Sequence, residues 1–229
     1  MSEEFAARVA GIGALAEPAR RELYAYVVAQ PEPVSREQAA EGVGLPLHSV
    51  KFHLDRLVDE GLLEVEFRRL SGRRGPGAGR PSKLYRRSSE PISVSLPERR
   101  YDLVGSILAA GVERATRDRG PVTDAVRAAA AEQGLAAGRS AEATGSETER
   151  TVTVLAEQGY EPRLRDDDVL LANCPFDALA REHTELVCGL NEAYVGGVLT
   201  GLGCAGLEAH LEPESGLCCV KARPRPRPR

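Results

Sequence analysis

The first 173 residues of this chain contain no cysteine, and no C-x-x-C pair occurs anywhere in it. The missing pair argues against a zinc ribbon and against the compact ferredoxin run, both of which set two thiols a few residues apart. Apolar runs are short, and none approaches the roughly 20 residues that a membrane span needs. The opening stretch MSEEFAARVAGIGALAEP has acidic residues where a secretory signal carries basic ones. No signal peptide and no membrane partner are therefore expected, and the expected location is cytoplasmic, where thiols stay reduced. Tryptophan is absent, no internal repeat is evident, and there is neither a phosphate loop nor a nucleophile–base–acid set. These absences argue against an enzyme. Cys174 or Cys188 with His183 could mimic a thiol catalytic pair, but such pairs arise easily by chance.

What is present is unevenly spread. The net charge of −4 hides a stretch, residues 68–87, that reads RRLSGRRGPGAGRPSKLYRR, with only positive charges among its ionisable side chains. A basic Gly/Pro-rich segment in an acidic chain is an electrostatic footprint for nucleic acid, or else a solvated loop. Upstream, Leu15, Ala19, Leu23 and Tyr26 or Val27 recur at helical spacing, Pro18 suits a helix start, and Pro31 and Pro33 end the segment. Ser35 with Gln38 forms a capping-box pattern, and Gly42 and Gly44 mark a break. A third helix places Val50, Leu54, Leu57 and Val58 on one face, with Ser49 as its expected cap and Gly61 as its stop. LLEVEFRRL alternates like a strand, and SKLYRRS can return across the Gly-rich tip. Short helices followed by a hairpin make a winged helix-turn-helix, with the basic loop as the wing. The residues expected to touch DNA are His48, Ser49, Lys51, His53 and Arg56 on the third helix, and Arg73, Arg74, Arg80 and Lys83 on the wing. His53 is equally readable as a packing or capping residue.

"ALAEPARRELYAYV", "SVKFHLDRLVDEGLLEV" and "GRPSKLYR" resemble the winged-helix half of ArsR-like transcriptional regulators. The resemblance implies the fold and a duplex operator as partner, and says nothing of what is sensed. The thiolate sensor of the arsenic branch, on the recognition helix, is missing here.

The middle segment, residues 99–138, reads as two helices broken at Gly120-Pro121. Leu103, Ile107, Leu108 and Val112 form an apolar stripe, expected as core or as a dimer seam. Palindromic operators favour two-fold dimers, so a homodimer is expected. GRSAEATGSETER reads as a loop or linker.

All five cysteines follow: Cys174, Cys188, Cys204, Cys218 and Cys219, spaced C-x13-C-x15-C-x13-C-C. An odd number in a reducing compartment is not a disulfide framework, so metal or redox chemistry leads and buried structural cysteine is the plain alternative. The expected elements are a helix at TERTVTVLAEQGY, two strands turning at Asp166 to Asp168, a helix from LVCG onward, and a strand pair LEAHL and CCVKA. Cys174 falls at a strand-to-helix junction and Cys188 early in a helix, where backbone N–H groups favour thiolate. If Cys218 and Cys219 are strand neighbours they face opposite ways and cannot both ligate without a bulge.

"NCPFDALAREHTELVCGLNEAYVGGVLTGLG" and the late "CCV", behind an ArsR-like winged helix, resemble the SufR-type repressors. That resemblance implies an oxygen- or redox-sensitive iron–sulfur cluster (4Fe-4S or 2Fe-2S) controlling DNA binding. It carries over to Cys174, Cys188 and Cys218, with the fourth ligand open between Cys219, Cys204 and His183. Zinc on the same sulfurs, or a small organic ligand with the cysteines structural, remain alternatives. The fold class is α+β: a winged helix-turn-helix domain (1–90), a helical linker or dimerisation region (91–145), a small α+β cysteine-containing sensor domain (146–222), and a disordered Arg/Pro tail (223–229).

Overall fold

The computed structural model describes residues 3–69 and 81–226, and the chain divides into two compact units, Met1–Val94 and Ser95–Arg229. In the first unit, α1 (Glu3–Ala14) and α2 (Pro18–Ala29) precede β1 (Val34–Ser35), α3 (Arg36–Val43), α4 (Leu47–Asp59), β2 (Leu63–Arg68) and β3 (Ser82–Arg87). Local chemistry sets these boundaries. The Glu17 carboxylate accepts the Arg20 N–H at 2.8 Å to cap α2, and Pro18 sits in its first turn. Ser35 and Gln38 complete the expected capping box of α3. Gly44 and Gly61 take positive φ (69° and 72°) and end α3 and the turn after α4. Leu23, Val27, Val50, Leu54, Leu57 and Tyr85 form the core beneath an antiparallel sheet of order β1-β3-β2. The hairpin β2–β3 runs in register from Leu63 opposite Arg87 to Arg68 opposite Ser82, as the wing requires.

Three details differ from the sequence expectation. Both α1 and β1 were unforeseen: α1 has little turn chemistry to mark it, and β1 is only two residues long. Ser49 is not a cap: α4 begins at Leu47 after Pro46, without a side-chain cap, so Ser49 lies in the first turn.

The second unit runs α5 (Tyr101–Asp118), α6 (Val122–Ser140), α7 (Glu147–Glu157), β4 (Pro162–Arg165), β5 (Asp168–Leu171), α8 (Asp177–Glu182), α9 (Thr184–Gly201), β6 (Leu207–Leu211) and β7 (Val220–Pro224). Its antiparallel sheet has the order β4-β5-β7-β6. α9 buries Val187, Leu190, Tyr194, Val195, Val198 and Leu199, packing on α6 and on β6 and β7. Against α6 the fit is backbone to backbone. A Cβ on Gly134 would fall on the Tyr194 carbonyl oxygen, one on Gly138 on that of Val198, one on Gly197 on that of Ala131, and one on Gly201 on that of Leu135.

Residues 91–145 are therefore not a separate helical linker. α5 and α6 contribute Val104, Ile107, Val126, Ala129 and Ala130 to the same core as the sheet. The buried stripe of α5 is Val104, Ile107, Gly111 and Ala115, whereas Val112 is 51% exposed. The expected loop shrinks, since α6 continues to Ser140 and Ser146 caps α7 with Glu149. Nor does a disordered tail start at 223: Arg223 and Pro224 end β7, and Arg223 pairs with Asp168 at 2.8 Å and with Glu212.

Gly134→Ala will destabilise the protein by on the order of 1–3 kcal/mol in urea unfolding, because α6 and α9 must separate to admit one methyl. Gly105→Ala, on the exposed face of α5 with no atom within 4 Å of the added Cβ, will be neutral or stabilising by up to about 1 kcal/mol. Equal effects at the two positions would contradict the close helix contact.

Candidate functional site

On the first unit, the helical period of α4 separates its core residues from a polar face. A cleft of about 510 Å³ on that face is lined by Arg20, His48, Lys51, Phe52, Asp55, Arg56 and Asp59. His48, Lys51 and Arg56 are exposed as expected, Arg56 also pairing with Glu60 one turn on, and Ser49 is half-buried. Two expected contact residues are committed elsewhere. His53 is turned inward, its side chain 14% exposed and its Nδ1 3.8 Å from the Glu17 carboxylate without a hydrogen-bond partner. This is the packing role left open by the sequence. Lys83 donates to Asp55 at 2.5 Å and lies 5.0 Å from the centre of the Tyr85 ring, so its charge is largely answered within the protein. Burial alone would raise the Asp55 carboxyl, but hydrogen bonds from Lys83 and from the Tyr85 hydroxyl (3.1 Å) outweigh it and hold the group below its ordinary value. Arg73, Arg74 and Arg80 lie outside the described residues. Sequence reasoning passed over Phe52 and Arg20, although spacing i, i+3, i+4 from His48 places Lys51 and Phe52 on the same face.

On the second unit, four of the five thiols fall into two pairs. Cys174 sits between β5 and α8, Cys188 in the second turn of α9, and Cys218 and Cys219 in the bend before β7. Cys174 is hydrogen-bonded with Cys218, and Cys188 with Cys219. The expectation that Cys218 and Cys219 lie on a strand, and so face apart, is corrected: β7 starts one residue later, at Val220. The bend lets both sulfurs reach the same neighbourhood. Its backbone is held by the Cys218 N–H donating to the Leu171 carbonyl and the Glu212 N–H donating to that of Cys219, each at 2.7 Å.

Buried polar groups support this site. Asn191 donates to the Cys218 sulfur at 3.2 Å, and its own side-chain oxygen accepts the Tyr160 hydroxyl. The hydrogen bond from Cys218 is the main cause that lowers the Cys174 thiol. Burial opposes it, and the Phe176 N–H and the Arg99 charge assist. The same pairing, followed by burial, raises Cys218, and burial first and the Cys219 hydrogen bond second push Cys188 up to about 12. Cys204 stands apart, its sulfur 3.6 Å from the Arg150 guanidinium, 3.7 Å from the Thr151 hydroxyl and 3.6 Å from the Glu147 carbonyl. His183 is exposed at the joint between α8 and α9. Neither of these two joins the four.

The chain entering the second unit is fastened to this loop. Arg99 donates to the Asn173 side chain at 2.5 Å and to the Cys174 carbonyl at 3.1 Å. Asn173 in turn donates to the Glu98 carbonyl at 3.0 Å and to that of Gly159 at 2.6 Å. The Arg100 N–H reaches the Pro175 carbonyl at 3.1 Å.

Soft sulfur donors on separate elements, with N–H groups aimed at them, have the chemistry that an iron–sulfur cluster takes. Among the described residues, however, no three His, Cys, Asp or Glu side chains are gathered so as to hold a single metal ion. The thiols lie as two neighbouring pairs.

In reduced, metal-free protein, iodoacetamide will modify Cys174 ahead of Cys188 and Cys218. Its rate will level off below the ordinary thiol value of about 8.5, while that of Cys188 will still rise with each step of pH. Peptide mapping by mass spectrometry reads both. Identical pH profiles for Cys174 and Cys188 would contradict the pairing.

Residues 15–66, from α2 into β2, match the family described as "Helix-turn-helix domain". No curated protein and no solved structure matches the chain. No helix among the described residues is long and apolar enough to cross a membrane. The helix-turn-helix match suggests a DNA-binding transcriptional regulator.

Proposed function

We propose that this protein is a transcriptional repressor of the winged-helix kind. It binds a duplex operator as a homodimer, through α4 and the β2–β3 wing, and the four-cysteine site of its second unit controls its affinity. Cys174, Cys188, Cys218 and Cys219 would hold an iron–sulfur cluster. When bound, such a cluster supplies a one-electron, oxygen-labile centre. The rest of the work falls to the protein's own groups. Asn191 holds the Cys218 sulfur in place, and Arg99 with Asn173 ties the cysteine loop to the segment that follows the boundary at Val94.

That tie is the observation that carries the proposal. A change at Cys174 would act on the backbone of residues 173–175, and the same backbone accepts from Arg99 and Arg100. The segment leading to the DNA-binding unit is thus bonded to the loop that bears a thiol of the site. On the DNA side, Lys51, Arg20 and Arg56 supply phosphate contacts, which give affinity and orientation without reading sequence.

The decisive experiment purifies the protein anaerobically, records its visible spectrum, and assays iron, sulfide and zinc on the same sample. Absorption near about 400 nm that fades in air, with iron and sulfide present, is expected. Serine at Cys174, Cys188, Cys218 or Cys219 will abolish it, and Cys204→Ser will not. Arg99→Ala will keep the colour but bring the ratio of operator affinities before and after air exposure from about tenfold towards one. A colourless, iron-free, folded protein after anaerobic reconstitution would overturn the cluster. In that case zinc in the assay, or no metal at all, would separate a zinc site from structural thiols.

A further inference from the structure

Phe52 lies at the middle of α4 and is 65% exposed. Among the other large apolar residues of that helix, Val50, Leu54 and Leu57 are buried in the core, Val58 packs against it, and Leu47, in the first turn, is 43% exposed. A lone exposed apolar side chain needs no explanation by itself. Three observations make this one different. It lines the α4 cleft together with three cations, Arg20, Lys51 and Arg56, and two carboxylates, Asp55 and Asp59. It follows His48 by four residues, one turn along the exposed face, in the N-terminal half of the helix. And its ring is supported from the protein side, standing edge-on to His53 with centroids 5.4 Å apart and planes at 66°. His53 itself is backed by Glu17.

We propose that Phe52 reads a thymine methyl group in the major groove of the operator and is a specificity-determining residue of this protein. The inference rests on the DNA-binding reading above and adds to it the base that is recognised.

With Asp55 engaged by Lys83 and Tyr85, the three cations outnumber the remaining carboxylate, Asp59, and a helix-turn-helix face with this balance fits a nucleic-acid duplex. Lys51 and Arg56 can hold phosphates on any sequence. Asp55, which lies between them on the helix, is engaged by Lys83 and Tyr85. His48, Ser49 and the cations can read the polar base edges, which leaves apolar readout at the middle of the face to Phe52 and, in the first turn, to Leu47. Bases present donors, acceptors and one kind of apolar group to the major groove, and that apolar group is the C5-methyl of thymine. A phenyl ring has no hydrogen bond to offer and is disfavoured opposite the polar edges of the other bases. Its selectivity is therefore for thymine at one base pair in each half-site. The effect expected is on the order of tenfold, the usual cost of one wrong pair.

The test uses the full-length protein and a random double-stranded DNA library. The sequence that the wild type enriches is resynthesised with each thymine in turn replaced by deoxyuridine, which removes only the methyl group. Binding is then followed by fluorescence anisotropy. For the wild type, one deoxyuridine per half-site is expected to weaken binding by about tenfold. Phe52→Ala should bind the thymine and deoxyuridine sites equally, at the level of the wild type on deoxyuridine, and Phe52→Leu should keep part of the preference. Thermal unfolding followed by circular dichroism should be unchanged in both variants, because the ring supports no core residue. If Phe52→Ala keeps the wild-type ratio of thymine to deoxyuridine binding at every position, the inference fails and DNA binding stands. If the wild type itself enriches no sequence and binds no duplex, the DNA-binding reading fails and takes this inference with it.

Discussion

The contact between α6 and α9 sets the geometry of the second unit. Gly134 and Gly138 on one helix face Gly197 and Gly201 on the other, and at each position a neighbouring carbonyl occupies the space a side chain would need. Glycine inside a helix costs roughly 0.5–1 kcal/mol relative to alanine. The helices recover that cost through the dispersion contact of two backbones at close range. With α9 seated this way, its remaining faces are free to pack on β6 and β7 and to carry Cys188 and Asn191 toward the bend before β7. Cys174 reaches the same place from the end of β5, because Asn173 is locked by its bonds to Gly159, Glu98 and Arg99. The thiol site is thus a product of tertiary packing. Its sulfurs come from elements far apart in the chain.

In the first unit the corresponding constraint is electrostatic. Many of its charges are answered within the unit: Lys83 by Asp55, Arg86 by Glu64, and Arg68 by Glu66 and Glu32. Such surface pairs contribute little to stability. They do decide what is left over. Lys51 stays exposed next to Asp55, whose carboxylate is already taken, and Arg20 lines the same cleft. An acidic chain can therefore present a locally cationic face to a polyanion, since interactions beyond about 8–10 Å are screened at ordinary salt.

Much of the first unit was legible in the sequence because its signals are local. A capping box, a glycine at positive φ and an apolar face each declare themselves within a few residues, and α2, α3, α4 and the hairpin lie where those signals put them. Ser49 misled because Pro46 starts α4 just before it, with no side-chain cap to be read. His53 kept two readings because only the tertiary position of Glu17 decides which way it turns. In the second unit, α6 presents mainly alanines and glycines rather than large apolar residues to its neighbours, so the helix was legible but its place in the core was not, and the segment looked like a linker. Cys218 and Cys219 failed for a related reason: one residue of error in the start of β7 reverses which faces the sulfurs share. The convergence of four thiols could be suspected from the resemblance, but spacings of thirteen residues and more do not encode it.

Magnitudes favour the Arg99–Asn173 tie as a coupling element over a larger rearrangement. A net hydrogen bond inside a protein is worth about 0.5–1.5 kcal/mol, and more when one partner is charged. The tie consists of Arg99 to the Asn173 side chain and the Cys174 carbonyl, Asn173 to the Glu98 carbonyl, and the Arg100 N–H to the Pro175 carbonyl. Losing part of that set shifts an equilibrium by a few kcal/mol. Allosteric coupling between sites needs about 1–3 kcal/mol, a change of 5- to 150-fold in affinity. The two ranges overlap without any melting of α9 or the sheet. A site that acted by unfolding its unit would instead have to overcome the α6–α9 contact and the core beneath it, a far larger cost. For the control proposed for the cysteine site, the economical switch would be a local one, in which the cysteine loop changes its backbone and Arg99 carries the change into the segment at the start of the second unit.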